Sequence, residues 1–151
     1  MIKKPGCDRL LDALGKLGPA CLIEILDLRM NHLPGSCVTK LCRLLRQGPQ
    51  GDGDPVLRFL ETLDLRQNTI GDEGGAAIAH AVLAGGLKSI VRIHVSANQI
   101  GNQGVRALYR AFSAEAVLEL CPKIKGVNCR DNVIDAQTAK RFDPCPIFFQ
   151  V

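Results

Sequence analysis

The sequence predicts an α/β solenoid in which short strands alternate with helices along a single domain. Three observations support this prediction. Four segments of the chain align without gaps, and apolar residues at helical spacing follow them. The 151 residues fit one domain, and 46% hydrophobic with 23% charged residues is typical of a chain that buries a sizeable core. We therefore expect the repeats to share one core.

The first predicted element is a helix at about residues 8–17, ahead of the repeats. Apolar residues recur there at helical spacing, and Gly18 and Pro19 stop the pattern. The end of a solenoid exposes its core unless another element covers it. We predict that this segment is a capping or partial-repeat helix.

Each repeat begins with a segment of the pattern apolar-x-x-apolar-x-apolar-x-x-Asn-x-apolar. The four copies are Ile23 to Leu33, Leu60 to Ile70, Ile90 to Ile100 and Ile124 to Ile134. The alternation seen at Leu63 and Leu65 puts these side chains on one face of a short strand. The intervening residues must face the opposite way.

An asparagine recurs at the same position of every segment. These residues are Asn31, Asn68, Asn98 and Asn132. A side-chain amide both donates and accepts hydrogen bonds, so it can satisfy backbone groups freed where the chain turns out of the strand. We predict a buried structural ladder of amides.

A helix is predicted after each strand. The turn Ile70 to Gly74 matches Ile100 to Gly104, and apolar residues one helical turn apart come next. The residues at corresponding helix positions are Leu41 with Leu45, Ile78 with Val82, Leu108 with Phe112, and Phe142 in the last repeat. The repeating unit is therefore strand, turn and helix.

Two segments depart from this unit. Residues 47–55 are rich in Gly and Pro and predict a surface loop. The tail, residues 143–151, ends in a mostly apolar stretch that includes Phe148 and Phe149. We expect the tail to fold over the last repeat as a cap, and the alternative is a fifth strand whose edge needs a partner.

The repeated pattern resembles the leucine-rich-repeat family. The turn N-x-I-G-D/N-E/Q-G followed by a full helix is similar to the ribonuclease-inhibitor-like branch of that family. The resemblance covers about residues 23–142, with departures at Cys129 and in a weaker turn after Leu33. It implies a horseshoe segment with parallel strands on the concave face and helices on the convex face. Residues 1–151 would form one leucine-rich-repeat domain with its capping helix and tail.

The outward strand positions predict a binding surface on the concave face. Adjacent strands lie about 4.8 Å apart, so equivalent positions form columns. The candidate partner-binding residues are Asp27, Arg29, Asp64, Arg66, Arg92, His94, Asn128, Arg130, Phe148 and Phe149. The arginines offer bidentate donors to carboxylates or phosphates, or alternatively Asp and Arg on neighbouring strands neutralise each other, which we favour.

Little in the sequence indicates catalysis or metal binding. His32, His80 and His94 fall at different repeat positions, without a visible partner triad. Cys37 and Cys42 are spaced more loosely than typical zinc ligands. The glycine pairs after the second strand are interpreted as helix termini and turns, because no phosphate-loop Lys-Ser/Thr follows them. We expect no catalytic residue, metal or cofactor.

The cysteines indicate a reducing compartment. Seven cysteines form no CxxC pair, and an odd number cannot be fully paired within one chain. No apolar run approaches the roughly 20 residues of a membrane span. We expect an intracellular protein, with the cytoplasm or cytoskeleton favoured and no membrane partner.

These observations favour a non-catalytic protein–protein interaction module or a small structural subunit of a larger assembly. Binding would use the concave strand face and the apolar tail. The net charge of +4 is too small to indicate RNA binding alone. An RNA-associated subunit of a ribonucleoprotein complex is nevertheless the alternative, and the resemblance implies another, a regulator of an enzyme such as a GTPase. A small-molecule substrate is not expected.

Overall fold

One parallel sheet runs through the chain. The computed structural model describes residues 1–46, 54–115, 117–141 and, as backbone, 148–150. The strands are β1 (Ile25–Asp27), β2 (Thr62–Asp64), β3 (Arg92–His94), β4 (Gly126–Asn128) and β5 (Phe148–Gln150). They lie in the order β1-β2-β3-β4-β5, and every neighbouring pair is parallel. The predicted parallel arrangement of strands is confirmed.

Helices connect the strands. They are α1 (Lys3–Leu17), α2 (Gly35–Arg46), α3 (Gly71–Leu83), α4 (Asn102–Ser113), α5 (Val117–Leu120) and α6 (Ala136–Ala139), with a short 3₁₀ turn at Gly18–Ala20. Consecutive helices α2, α3 and α4 pack side by side. Strand-plus-helix units with one parallel sheet fit a leucine-rich-repeat solenoid.

The core lies between the sheet and the helices. Leu63 in β2 and Leu65 just after it are buried, as are the helix residues Ile78 and Val82. Cys129 is also fully buried at the strand position where other repeats have leucine or valine. All the described buried hydrophobic residues form one cluster, because each repeat covers the apolar edge of its neighbour.

The capping helix is longer than expected. It begins at Lys3 instead of about residue 8, and its residues Cys7, Leu11 and Leu14 are buried. Its first turn bonds to the first repeat, because the amide of Lys3 donates to the carbonyl oxygen of Asn31 at 3.2 Å. Sequence periodicity alone did not reveal this anchoring contact.

The two glycine pairs serve different purposes. Gly85 follows α3 with φ +70°, and the amides of Gly85 and Gly86 donate to Val82 and Ala81, which is the expected helix terminus. Gly74 and Gly75, in contrast, both lie inside α3 and not at a helix terminus or in a turn. A Cβ on Gly75 would lie 3.1 Å from the Cα of Gly104, so this glycine permits close packing of α3 on α4.

The end of the chain differs from the expectation in two ways. The last repeat has only the four-residue helix α6, and Phe142 lies outside the described residues, as does most of the loop at 47–55. The tail does not fold over the last repeat in the expected way, since β5 continues the sheet beside β4. The alternative of a fifth strand is the one observed, because its backbone extends the parallel ladder.

Candidate functional site

The asparagine ladder fixes the ends of the strands. The Oδ1 atom of Asn68 accepts the amides of Asn31 and Leu33, both at 3.0 Å, and its Nδ2 donates to Leu28 and Leu65. The residue before each ladder asparagine has a left-handed backbone, with φ between 53° and 59°. One side chain thus joins two repeats and closes the turn that ends the strand.

Asn132 repeats this arrangement, whereas the bonding of Asn98 is incomplete. The Oδ1 atom of Asn132 accepts the amides of Asn98 and Ile100 at 2.9 and 3.0 Å. Asn98 is fully buried and donates to Leu65 and Ser96, but its Oδ1 has no hydrogen-bond partner among the described residues. The ladder asparagine of the third repeat therefore makes fewer hydrogen bonds than those of the second and fourth repeats.

The strand register aligns the candidate binding residues. We define the open face as the sheet face opposite the helices, which carries the outward strand side chains. The register pairs Asp27 with Asp64, Asp64 with His94, and His94 with Asn128, so these residues form one column. The next outward column contains Arg29, Arg66, Ser96 and Arg130. Arg92 belongs to a third column, beginning with Ile25 and Thr62.

The register separates the two tail phenylalanines. Phe148 pairs with Gly126 and so takes the position of Arg92 in the third column. Phe149 pairs with Val127, which occupies the buried inward position of each strand. The side chains of both phenylalanines lie outside the described part of the chain.

Two aspartate–arginine pairs dominate the open face. Asp27 accepts from Arg29 Nε at 3.0 Å and from Nη2 at 2.7 Å. Asp64 accepts from Arg66 Nε at 3.0 Å and from Nη2 at 2.6 Å. In each pair the aspartate Oδ1 also accepts the backbone amide of the arginine at 3.1 Å. The carboxylate at the end of the strand therefore holds both the backbone amide and the guanidinium of the arginine two residues after it.

Asp64 links the two pairs. Its Oδ2 atom lies 3.4 Å from Nε of Arg29 on the neighbouring strand, and its side chain is only 9% exposed. Hydrogen bonding to Asp64 raises the pKa of Arg66, and hydrogen bonding to Asp27 raises that of Arg29. Neutralisation is thus present mainly within strands and only partly between neighbouring strands.

The third and fourth repeats vary this motif. Asn128 accepts the backbone amide of Arg130 at 3.1 Å, as the aspartates do in their repeats. In the third repeat His94 takes the place of the carboxylate, and its buried Nδ1 has no hydrogen-bond partner among the described residues. Burial lowers the pKa of His94, and the nearby Arg66, Arg92 and Arg29 lower it further while Asp64 opposes them.

A shallow depression lies beside the two pairs. It is lined by Arg29, Arg66, Gln67, Ser96, Ala97 and Asp131. Asp131 was not among the predicted binding residues, although it precedes a ladder asparagine and could have been found by that position. Arg92 and Arg130 flank this region, are exposed, and make no ion pair within the described ranges.

The basic helix residues are partly paired. Lys40 contacts Asp12 at 2.7 Å, Arg46 bonds His80, and Arg106 donates to Thr138 at 2.9 Å.

Within the described residues, no group of three or more His, Cys, Asp or Glu side chains is arranged to hold a metal ion. None of the helices described is both long and apolar enough to traverse a bilayer.

Comparison with known families agrees with the repeat architecture. The leucine rich repeat family model matches residues 56–79 and 86–108. The first match contains β2 and the first part of α3, and the second contains β3 and the first part of α4. No curated protein matches the chain significantly. The two matched repeats lie within an array of parallel strands and helices. Together these findings support a relationship of this chain to the leucine-rich-repeat family.

Proposed function

We propose that this protein is a non-catalytic protein-binding module whose open face receives another protein. Leucine-rich repeats generally mediate protein–protein interactions, and the family matches carry that expectation to this chain. In the proposed shape, the chain is a horseshoe segment of the ribonuclease-inhibitor-like branch. Its open face is concave and its helices are on the convex side. The module would act as a scaffold or structural subunit of a larger assembly.

The observation that carries this proposal is the fixed arrangement of charged side chains on the open face. Arg29 and Arg66 are each held by two or more hydrogen bonds to an aspartate. Side chains that are already ordered lose less conformational entropy when a partner binds. The neighbouring Arg92 and Arg130 are exposed and supply additional polar contacts.

The same observation makes a protein a better candidate partner than RNA. Asp27 and Asp64 neutralise two of the arginines that an RNA backbone would need.

Burial raises the pKa of Cys42 and Cys129 to about 12, which keeps these thiols protonated. The six cysteines within the described residues are all free thiols, which supports the proposed intracellular, reducing location.

An affinity experiment with charge-reversal variants tests this proposal. Full-length protein, Arg92→Glu and Arg130→Glu would be used to capture proteins from an extract of the native cells, with and without ribonuclease. Arg110→Glu is the matched control, because Arg110 is exposed on α4 and the charge change is the same. We expect a defined set of proteins that binds the wild type and the control but not the open-face variants.

Two outcomes would contradict the proposal. Equal capture by all four proteins would exclude the open face as the binding surface. Loss of every captured protein after ribonuclease treatment would favour the RNA alternative, since RNA would then hold the complex together.

A further inference from the structure

Arg29 and Arg66 have hydrogen-bond donors that their aspartate partners leave unused. Asp27 and Asp64 bind the side edge of each guanidinium, which consists of Nε and Nη2. A guanidinium carries five N–H donors in a planar fork. Among the described residues, Nη1 of Arg29 and Nη1 of Arg66 make no hydrogen bond. The end edge of each fork, formed by Nη1 and the second Nη2 hydrogen, is therefore available to another acceptor.

We propose that Arg29 and Arg66 form a binding site for the acidic side chains of a protein partner. The inference rests on the proposed function, because it assumes that the open face receives a protein. A Glu or Asp carboxylate matches the end edge of a guanidinium with two parallel hydrogen bonds. Asp27 and Asp64 are positioning residues, which hold the forks in place before the partner arrives.

Asp64 contacts both arginine side chains and so joins them into one site. Its carboxylate bonds Arg66 and lies 3.4 Å from Nε of Arg29, while only 9% of its side chain is exposed. Arg29 and Arg66 are neighbours in one column, on adjacent repeats one strand spacing of about 4.8 Å apart. One nearly buried anion thus fixes two cations side by side at the edge of the depression.

The charge of the site favours a single carboxylate over a chain of phosphates. The two aspartates neutralise Arg29 and Arg66, so the four residues together carry no net charge. Binding then depends on directed hydrogen bonds more than on long-range attraction. Asp131 also lines the depression and would repel further anions at that end. Gln67 and Ser96 provide neutral polar groups between these two ends.

Titration with short peptides tests the site. The probe is a tetraglutamate peptide that is acetylated and amidated, and the tetraglutamine peptide of the same form is its control. Binding is followed through the ¹⁵N–¹H signals of the arginine Nε groups at 0.15 M salt. A tetraglutamine peptide with a free carboxyl terminus separates recognition of acidic side chains from recognition of a chain terminus.

The decisive variant is Arg66→Lys, which retains the positive charge and loses the planar fork. We expect its dissociation constant for tetraglutamate to rise about tenfold. Arg110→Lys is the matched control on α4, and we expect it to bind like the wild type. The backbone amide spectrum of each variant verifies that the protein is folded.

Three results would overturn the inference. They are equal binding of tetraglutamate and amidated tetraglutamine, unchanged affinity in Arg66→Lys, and binding only of the peptide with the free carboxyl terminus. The capture experiment with Arg92→Glu and Arg130→Glu is independent of these results. If it succeeds while the peptides fail, the open face binds proteins through other chemistry and only the acidic-side-chain site is excluded.

Discussion

Asn68 illustrates how single side chains hold adjacent repeats together. Its amide satisfies two backbone N–H groups of the first repeat and carbonyl groups of the first and second. Backbone groups that lose such partners inside a protein are costly, because water cannot replace them. The side chain of Asn98 is more deeply buried but makes fewer of these bonds.

We predict that Asn68→Ala lowers the free energy of unfolding by about 1–3 kcal/mol. The amides of Asn31 and Leu33 would lose their acceptor in the variant. Asn98→Ala is the matched comparison, and we expect a smaller loss because its Oδ1 accepts no hydrogen bond from the described residues. Urea denaturation measures both. Equal losses would show that burial, and not the bonding of the ladder, determines the cost.

We expect His94 to make the stability of the protein depend on pH. Burial, reinforced by nearby arginines, lowers the pKa of its imidazole below the ordinary value of 6.5. Between these two values the unfolded chain binds more protons than the folded chain does. The contribution of neutral His94 is therefore complete above pH 6.5 and decreases as the pH falls through the lowered pKa of the folded state.

We predict that His94→Asn loses less stability than the wild type when the pH is lowered from 7.5 to 5.0. Asparagine is the residue that the fourth repeat uses at this position, where Asn128 accepts a backbone amide. Urea denaturation at both pH values measures the change. His32→Asn controls for the loss of one histidine, because His32 is exposed. The same pH dependence in wild type and His94→Asn would disprove the assignment to His94.

Sequence reasoning identified residue positions better than residue contacts. Alternation and the repeat placed Leu63 and Leu65 on the inward face, where both are buried. The same alternation could place Asp64 and Arg66 on one face, but it could not decide which oxygen holds which guanidinium. That choice depends on side-chain rotamers and on competition between Arg29 and Arg66 for one carboxylate.

At the scale of elements, helix spacing depends on small residues at the contact. The Cα of Gly104 and the position of a Cβ on Gly75 would be only 3.1 Å apart. Backbone atoms cannot rotate away from such a contact as flexible side chains can. A side chain at this position would require α3 and α4 to move apart by a few tenths of an ångström.

We predict that Gly75→Ala lowers the free energy of unfolding by about 1–3 kcal/mol, because the added methyl group pushes α3 away from α4. Gly15→Ala is a control with the same substitution in α1. Its Cβ would meet Leu44 at an ordinary 3.7 Å, so we expect a gain of about 0.5–1 kcal/mol from helix propensity. Chemical denaturation distinguishes the two signs. Stabilisation by both substitutions would show that the helices separate freely.

Strands were easier to predict than short helices. The four repeated strands follow from alternating apolar residues, which is a strong local signal. Helix α5 at Val117–Leu120 was not predicted, because four residues contain too little periodicity to distinguish a helix from a turn. The fourth repeat was expected to resemble the others, yet its helix α6 is as short as α5.

At the scale of the whole molecule, we expect a helix that packs between two neighbours to be more stable than a helix with one neighbour. Helix α2 packs between α1 and α3, whereas α1 lies at the end of the array and packs on α2. Contacts in a solenoid are mostly between neighbours, so stability is a sum of local interfaces. The terminal helix should therefore open more often than the helix behind it.

We predict that Cys7 on α1 reacts with N-ethylmaleimide faster than Cys42 on α2 under native conditions. Burial raises the pKa of both thiols to about 12, so a difference in rate reports opening of the structure and not acidity. The measurement is mass spectrometry of labelled peptides over time at pH 7.5, in the variant Cys145→Ser to remove a thiol outside the described residues. Equal rates that follow global unfolding would show that α1 and the first repeat unfold as one unit, and faster labelling of Cys42 would contradict the terminal opening of α1.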